Sequence, residues 1–141
     1  MSLHPADSPG LLLWRATLRW QRLITAALKP LDLTHVQFVL LASAWWLTRV
    51  AGETPTQRRL AEHAGTDPMM TSQVLRALEA KGLIARSAHP DDSRARSITV
   101  SRRGASLAKR AVRVVEAADA DFFRPAGNRK DLLNVLHQLA D

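Results

Sequence analysis

Apolar side chains recur at helical spacing through SPGLLLWRATLRWQRLITAAL. Leu11, Trp14, Leu18, Leu23 and neighbouring apolar residues fall at helical spacing with Arg15, Arg19 and Arg22 on another face, which predicts a long amphipathic helix starting after Ser8. Lys29-Pro30 ends it, because proline cannot extend the hydrogen-bond ladder and disfavours a helical residue before it. In DLTHVQFVLLASAWWLTRV apolar residues cover nearly every face as far as Trp46, so the second helix is central and largely buried, with Asp32 or Thr34 as its cap. Ala51-Gly52 closes it. Thr54-Pro55-Thr56-Gln57 then offers two caps, Thr54 with proline at the first helical position or Thr56, for a short helix QRRLAEHA that stops at Gly65. Thr66-Asp67-Pro68 introduces MMTSQVLRALEAK, which Gly82 terminates.

Two short helices around a tight glycine-containing turn have helix-turn-helix spacing. Behind them, LIARS and RSITVS are short runs rich in β-branched and apolar residues on either side of Ala88-His89-Pro90-Asp91-Asp92-Ser93, a cluster of turn formers. A hairpin with a charged tip is predicted. Ser101 caps another long helix, RRGASLAKRAVRVVEAADADFF, carrying Leu107, Ala111, Val115 and Ala118, and residues 125–128 break it. The final helix, RKDLLNVLHQLA, gathers Leu132, Leu133, Val135, Leu136 and Leu139 on one side. The fold class is therefore mainly α with a small β-hairpin.

Composition narrows the function. Twenty Lys+Arg against 13 Asp+Glu give a net charge of +7, and residues 54–104 hold 9 of those cations against 5 acids. A polyanionic partner is favoured, and the charge is concentrated on the helix-turn-helix and hairpin. Cysteine is absent, which removes disulfides, thiolate metal sites and thiol nucleophiles. The five histidines are scattered singly, with no HExxH, nucleophile elbow or phosphate-cradling glycine loop, so neither an enzyme nor a metal or cofactor site is expected. Residues 36–47, the longest apolar run, are too few to span a bilayer. MSLHPADSPG lacks the features of a signal peptide, so a cytoplasmic protein without membrane contact is expected.

The string 78–104 is the most specific part of the chain. LEAKGLIAR, then Asp92-Ser93-Arg94, then ITVSRRG resemble the MarR family of bacterial winged helix-turn-helix transcriptional regulators, whose pattern is Leu-Glu, Lys-Gly-Leu, Asp-x-Arg and a strand-end Leu-Thr-x-x-Gly. Val100-Ser101 stand where Leu-Thr is usual. The resemblance spans almost the whole chain. It implies a regulator, most often a repressor, acting as a homodimer on double-stranded DNA with a pseudo-palindromic operator. Residues 32–104 would form the winged helix-turn-helix lobe, with a recognition helix at 67–81 and a wing at 83–101. Residues 1–31 and 105–141 would pair with a second copy, although packing within the chain is the other role open to their apolar sides.

On the recognition helix Thr71, Val74, Leu75 and Leu78 face inward, leaving Pro68, Met69, Met70, Ser72, Gln73 and Arg76 toward DNA. Gln pairs bidentately with adenine and Arg with guanine or phosphate. Many family members carry Arg where this chain has Gln73. Arg94 at the wing tip suits a narrow, electronegative minor groove, and the resemblance implies that Asp92 pairs with Arg94 and orients it. Arg86 and Arg96, with Arg102 and Arg103, are candidates for phosphate contacts.

The resemblance also implies a small aromatic or anionic effector lying between the dimer-forming helices and the DNA-binding lobe. Trp14, Arg15, Arg19, His35, Trp45 and Trp46 are the candidates, with core packing as the alternative role of the aromatic residues. A winged-helix protein-interaction module is the rival function. It would present an apolar recognition surface, as Met69 and Met70 do and Arg76 does not.

Overall fold

The computed structural model describes residues 4–92 and 94–141, so Ser93 of the Asp92-Ser93-Arg94 string lies outside the described residues. Helix α1 spans Pro9–Leu28, with the Ser8 hydroxyl accepting from the Leu11 N–H and proline at the first position. A single 3-10 turn at Lys29–Leu31 ends it. Helix α2, His35–Arg49, opens on a reciprocal cap: Thr34 Oγ1 accepts from the Gln37 N–H, and Gln37 Oε1 accepts from the Thr34 N–H. Of the two caps offered by the sequence, Thr34 is the one used.

Helix α3, Gln57–Ala64, is capped by Thr56 rather than Thr54. Pro55 is consequently not a first helical residue. It is buried, and its carbonyl accepts from the Ile98 N–H at 2.9 Å, with Thr56 bridging to Ser97, so the entry to α3 is stitched to the hairpin. Gly65 adopts φ +73 and turns the chain into helix α4, Pro68–Ala80, capped by the Asp67 carboxylate. A second left-handed glycine, Gly82, leads out of α4 into strand β1, Ile84–Ala88, which pairs antiparallel with β2, Arg96–Val100. Helix α5, Arg102–Phe122, starts from Ser101, and α6, Arg129–Ala140, follows a 3-10 turn at Arg124–Ala126.

One core joins these elements. Leu40, Leu41, Ala44 and Leu47 of α2 meet Leu60 of α3, Leu75 and Leu78 of α4, Ile98 of β2, and Ala108 and Ala111 of α5, with Ile24 and Leu28 entering from the end of α1. The central, buried α2 expected from its all-round apolar pattern is what the fold contains. The other end of α1 differs: Leu11, Leu12, Leu13 and Trp14 are exposed, and no residue of α6 is buried within the protomer. Among the described residues no helix is long and apolar enough to cross a membrane.

The start of α5 is locked against the base of the hairpin. Ser101 Oγ donates to the Gly82 carbonyl at 2.7 Å and accepts from the Gly104 N–H at 3.0 Å. Gly104 is buried, and a Cβ there would fall 2.0 Å from the Leu83 carbonyl oxygen, a backbone atom with no rotamer to retreat into. This close approach is the physical reason for glycine at the end of the ITVSRRG string. Gly104→Ala is expected to destabilise the fold by about 1–3 kcal/mol through overpacking. A denaturant midpoint unchanged from wild type would show that the contact relaxes freely.

Candidate nucleic-acid interface

Helix α4 divides cleanly into an anchored and a free side. Thr71, Leu75 and Leu78 are fully buried. The Thr71 hydroxyl bonds the Asp67 carbonyl at 2.8 Å and the Thr66 hydroxyl at 2.6 Å, so the turn between α3 and α4 is held by side chains as well as by backbone. Pro68, Met69, Met70, Gln73 and Arg76 are exposed, while Ser72 is half-buried and accepts from Arg76 Nη2 at 3.1 Å. The free side contains the residues assigned to it from the sequence. Met69, at 72% exposure, is the most prominent apolar group there.

A cleft of about 820 Å³ separates this unit from the hairpin. Thr56, Gln57, Arg58, Ala61, Glu62, Gly65, Thr66 and Pro68 line one wall, and Asp92, Arg94, Ala95 and Arg96 the other. Thr56, Gln57 and Arg58 were not among the sequence candidates. Their signal was the capped N-terminus of α3, where exposed N–H groups and a cation favour phosphate. Arg58 also pairs with Glu62 at 3.3 Å, a mostly exposed pair that a competing phosphate can displace at little cost.

The wing tip is organised through its backbone. Asp92 Oδ1 accepts from the Arg94 N–H at 3.0 Å, the Asp92 carbonyl accepts from the Ala95 N–H, and the His89 N–H donates to the Ala95 carbonyl. Among the described residues no ion pair joins Asp92 to the Arg94 guanidinium, so Asp92 orients the turn that carries Arg94 and leaves the guanidinium exposed. The expected side-chain pairing is corrected to a backbone one: an Asp side chain readily bonds the N–H two residues on.

Two other cations are committed within the fold. Arg86 pairs with Glu79 at 3.3 Å, tying β1 to the last turn of α4, and its side chain is only 23% exposed. Arg103 donates to the Lys81 carbonyl at 2.8 Å at the end of α4. Arg96 remains exposed and lines the cleft with Arg94.

The six effector candidates do not converge. Trp14, Arg15 and Arg19 are exposed on α1, Trp45 packs half-buried against the core, and Trp46 stacks on His63 of α3 with ring centroids 5.6 Å apart. His35 meets Trp20, absent from the candidates, edge to face at 4.9 Å, and Trp20 Nε1 donates to Asp119 Oδ1 at 2.8 Å. This Trp20–His35–Asp119 group links α1, α2 and α5. None of the six candidates lines the cleft.

Burial lowers the His35 pKa from its ordinary 6.5, and the negative charge of Asp119 partly opposes the shift. The folded protein thus binds a proton at His35 less readily than the unfolded chain does. The resulting stability is present above pH 6.5 and is lost as pH falls below it. Between about pH 7.5 and about pH 5.5 the melting temperature of wild type should fall more steeply than that of His35→Gln. Parallel profiles would remove His35 as the source.

A recognition helix with a buried anchor side, a cationic wing and a cleft between that wing and α3 define a winged helix-turn-helix DNA-binding regulator. Residues 33–95 match the MarR family model. The chain is 44% identical over 96% of its length, and 91% of the other protein, to the uncharacterized HTH-type transcriptional regulator YdcH of Bacillus subtilis. Among solved structures it is similar to CouR of Rhodococcus jostii RHA1 bound to p-coumaroyl-CoA, with 26% identity, TM-score 0.82 and coverage of 98% of this chain and 92% of the other. The transcriptional repressor CouR on a 23-mer DNA duplex gives TM-score 0.83 at 27% identity, covering 96% and 94%. The Mycobacterium tuberculosis MarR family protein Rv2887 in complex with salicylic acid gives 35% identity and TM-score 0.70, covering 96% and 99%. The chain belongs to the MarR family and is a DNA-binding transcriptional regulator.

Proposed function

We propose that this protein is a cytoplasmic repressor rather than an enzyme, binding a pseudo-palindromic operator as a homodimer and released from it by a small aromatic or anionic ligand. The observation that carries the reading is the cleft between α3 and the wing, where Arg58 on one wall faces Arg94 and Arg96 on the other and Pro68 brings the start of α4 to its edge. A phosphate backbone in that cleft brings α4 to the major groove and Arg94 to the neighbouring minor groove. CouR on its duplex supports the repressor role, and the ligands held by CouR and Rv2887 support relief by a small aromatic acid or its thioester.

The N-terminal and C-terminal helices supply the second half of the proposal. A groove of about 630 Å³ between α1, α5 and α6 is lined by Leu13, Trp20, Phe122, Phe123, Leu133 and Leu136. Residues 1–31 and 105–141 form the pairing region in this reading, and residues 32–104 form the reading lobe.

Specificity rests on Gln73, with Met69, Met70, Ser72 and Arg76 around it. Binding is measured against DNA flanking the protein's own gene across a salt series. Affinity should fall steeply with salt, and Gln73→Ala should lose about 1–3 kcal/mol of discrimination at one base pair in each half-site. Equal affinity for operator and unrelated DNA at every salt concentration would sink the proposal.

A further inference from the structure

Most cations near α3, α4 and the hairpin base have a partner. Arg58, Arg59, Lys81 and Arg86 pair with Glu62, Glu53, Asp32 and Glu79, and Arg103 bonds a helix-end carbonyl. One groove stands apart. Arg49, in the last turn of α2, and Arg102, Lys109, Arg110 and Arg113 of α5 line a shallow depression of about 450 Å³ floored by Ala105 and Ser106. All five cations are exposed, no acidic side chain lines the groove, and among the described residues none of the five side chains has an ion pair or hydrogen bond. Five like charges in one concavity repel one another, and a complementary anion would remove that repulsion.

Their spacing identifies the shape of the anion. Positions 102, 106, 109 and 113 fall on one side of α5, with 110 beside them, so the cations form a strip roughly 16 Å long at 1.5 Å per residue. A single phosphate or carboxylate accepts hydrogen bonds only from donors within about 3 Å and cannot serve both ends of such a strip. A nucleic-acid strand, with one charge per roughly 3.4 Å of axis, meets it along its whole length. No residue of the strip lines the cleft between α3 and the wing, and no residue of α4 lines the strip.

The geometry points to a second, sequence-independent DNA-binding strip on α2 and α5, which holds the phosphate backbone of a second duplex while the recognition helices hold the first. A dimer then carries more than one duplex, and two DNA segments can be bridged by one regulator.

The test uses the full-length dimer and a fluorescent duplex of about 20 base pairs, enough for two half-sites one turn apart. Sedimentation at low salt reads how many duplexes each dimer carries. Wild type should exceed one. The Arg49→Gln/Lys109→Gln/Arg110→Gln/Arg113→Gln variant should stop at one, with the first duplex bound within about twofold of wild type and the second at least tenfold weaker, since each lost phosphate contact lowers the salt-dependent term. Replacing the three arginines with lysine should retain the second duplex, because sequence-independent contacts need charge rather than the guanidinium fork. The idea is overturned if wild type saturates at one duplex per dimer, or if the glutamine variant still binds two. It also fails if that variant becomes monomeric with native helicity, since the strip would then be a contact between copies. Displacement of the second duplex by poly-glutamate as readily as by unlabelled DNA would likewise replace it, with an acidic protein as the partner.

Discussion

Arg94→Ala is expected to weaken operator binding by about 10- to 100-fold, the equivalent of one charge-assisted contact of roughly 1.5–3 kcal/mol. The guanidinium is exposed, has no acidic partner among the described residues, and rises from a turn held by the Asp92 carboxylate and the Asp92 and Ala95 carbonyls. Pre-ordering that turn removes part of the entropy that a mobile wing would lose on binding. The loss should be accompanied by a salt slope shallower by roughly 0.9, the signature of one phosphate-neutralising charge. If Arg94 instead reads the width of an A·T minor groove, the loss should be greatest on A·T-rich flanks. Fluorescence anisotropy across a salt series, on A·T-rich and G·C-rich flanks, separates the two. Asp92→Ala should give a smaller loss with an unchanged slope, because it loosens the turn without removing the cation. Full affinity in Arg94→Ala would show that the wing tip does not contact DNA.

The reading lobe was legible in the sequence because its determinants are local. Asp67-Pro68, Gly65 and Gly82 mark the helix ends by their own backbone preferences, and the inward set Thr71, Leu75 and Leu78 follows from helical periodicity. What periodicity cannot supply is the neighbour across the fold. Trp20 pairs with Asp119, ninety-nine positions away, so nothing around His35 revealed that Trp20 rather than Trp14 or Trp46 lies beside it. Arg86 read as a free cation because Glu79 lies seven residues back across a turn, where neither helix nor strand spacing pairs them. Thr54 and Thr56 were equally good caps in the sequence, and what selects Thr56 is the bond from the Ile98 N–H to the Pro55 carbonyl, forty-three positions away. The apolar side of α6 was equally compatible with a core and with an interface. In the fold no α6 residue is buried within the protomer, which leaves that side open to a partner.

That unburied helix leads to the largest expected effect. Leu133→Asp/Leu136→Asp should split the dimer while leaving each protomer folded, because the core of Leu40, Leu47, Leu75 and Ile98 contains no α6 side chain. Leu13, Trp14, Leu133, Val135 and Leu139 are exposed together at the terminal helices. Each such side chain gains about 1.5–3 kcal/mol when fully removed from water, and within one protomer none of them is buried. A carboxylate placed there must be desolvated for the interface to form, which costs more than the leucine contributed.

Once the protomers separate, each half-site is held by a single helix and wing, and the second contact no longer benefits from effective concentration. Affinity for the intact operator should fall by about 10²- to 10⁴-fold, whereas affinity for an isolated half-site should hardly change. Sedimentation reads the mass, circular dichroism the fold, and anisotropy on full and half operators the affinity. The half-site control separates loss of avidity from damage to the reading face. A variant that is monomeric, folded and normal on half-sites yet undiminished on the full operator would show that the two protomers read their half-sites independently. The roles of the pairing helices and the reading lobe would then be uncoupled.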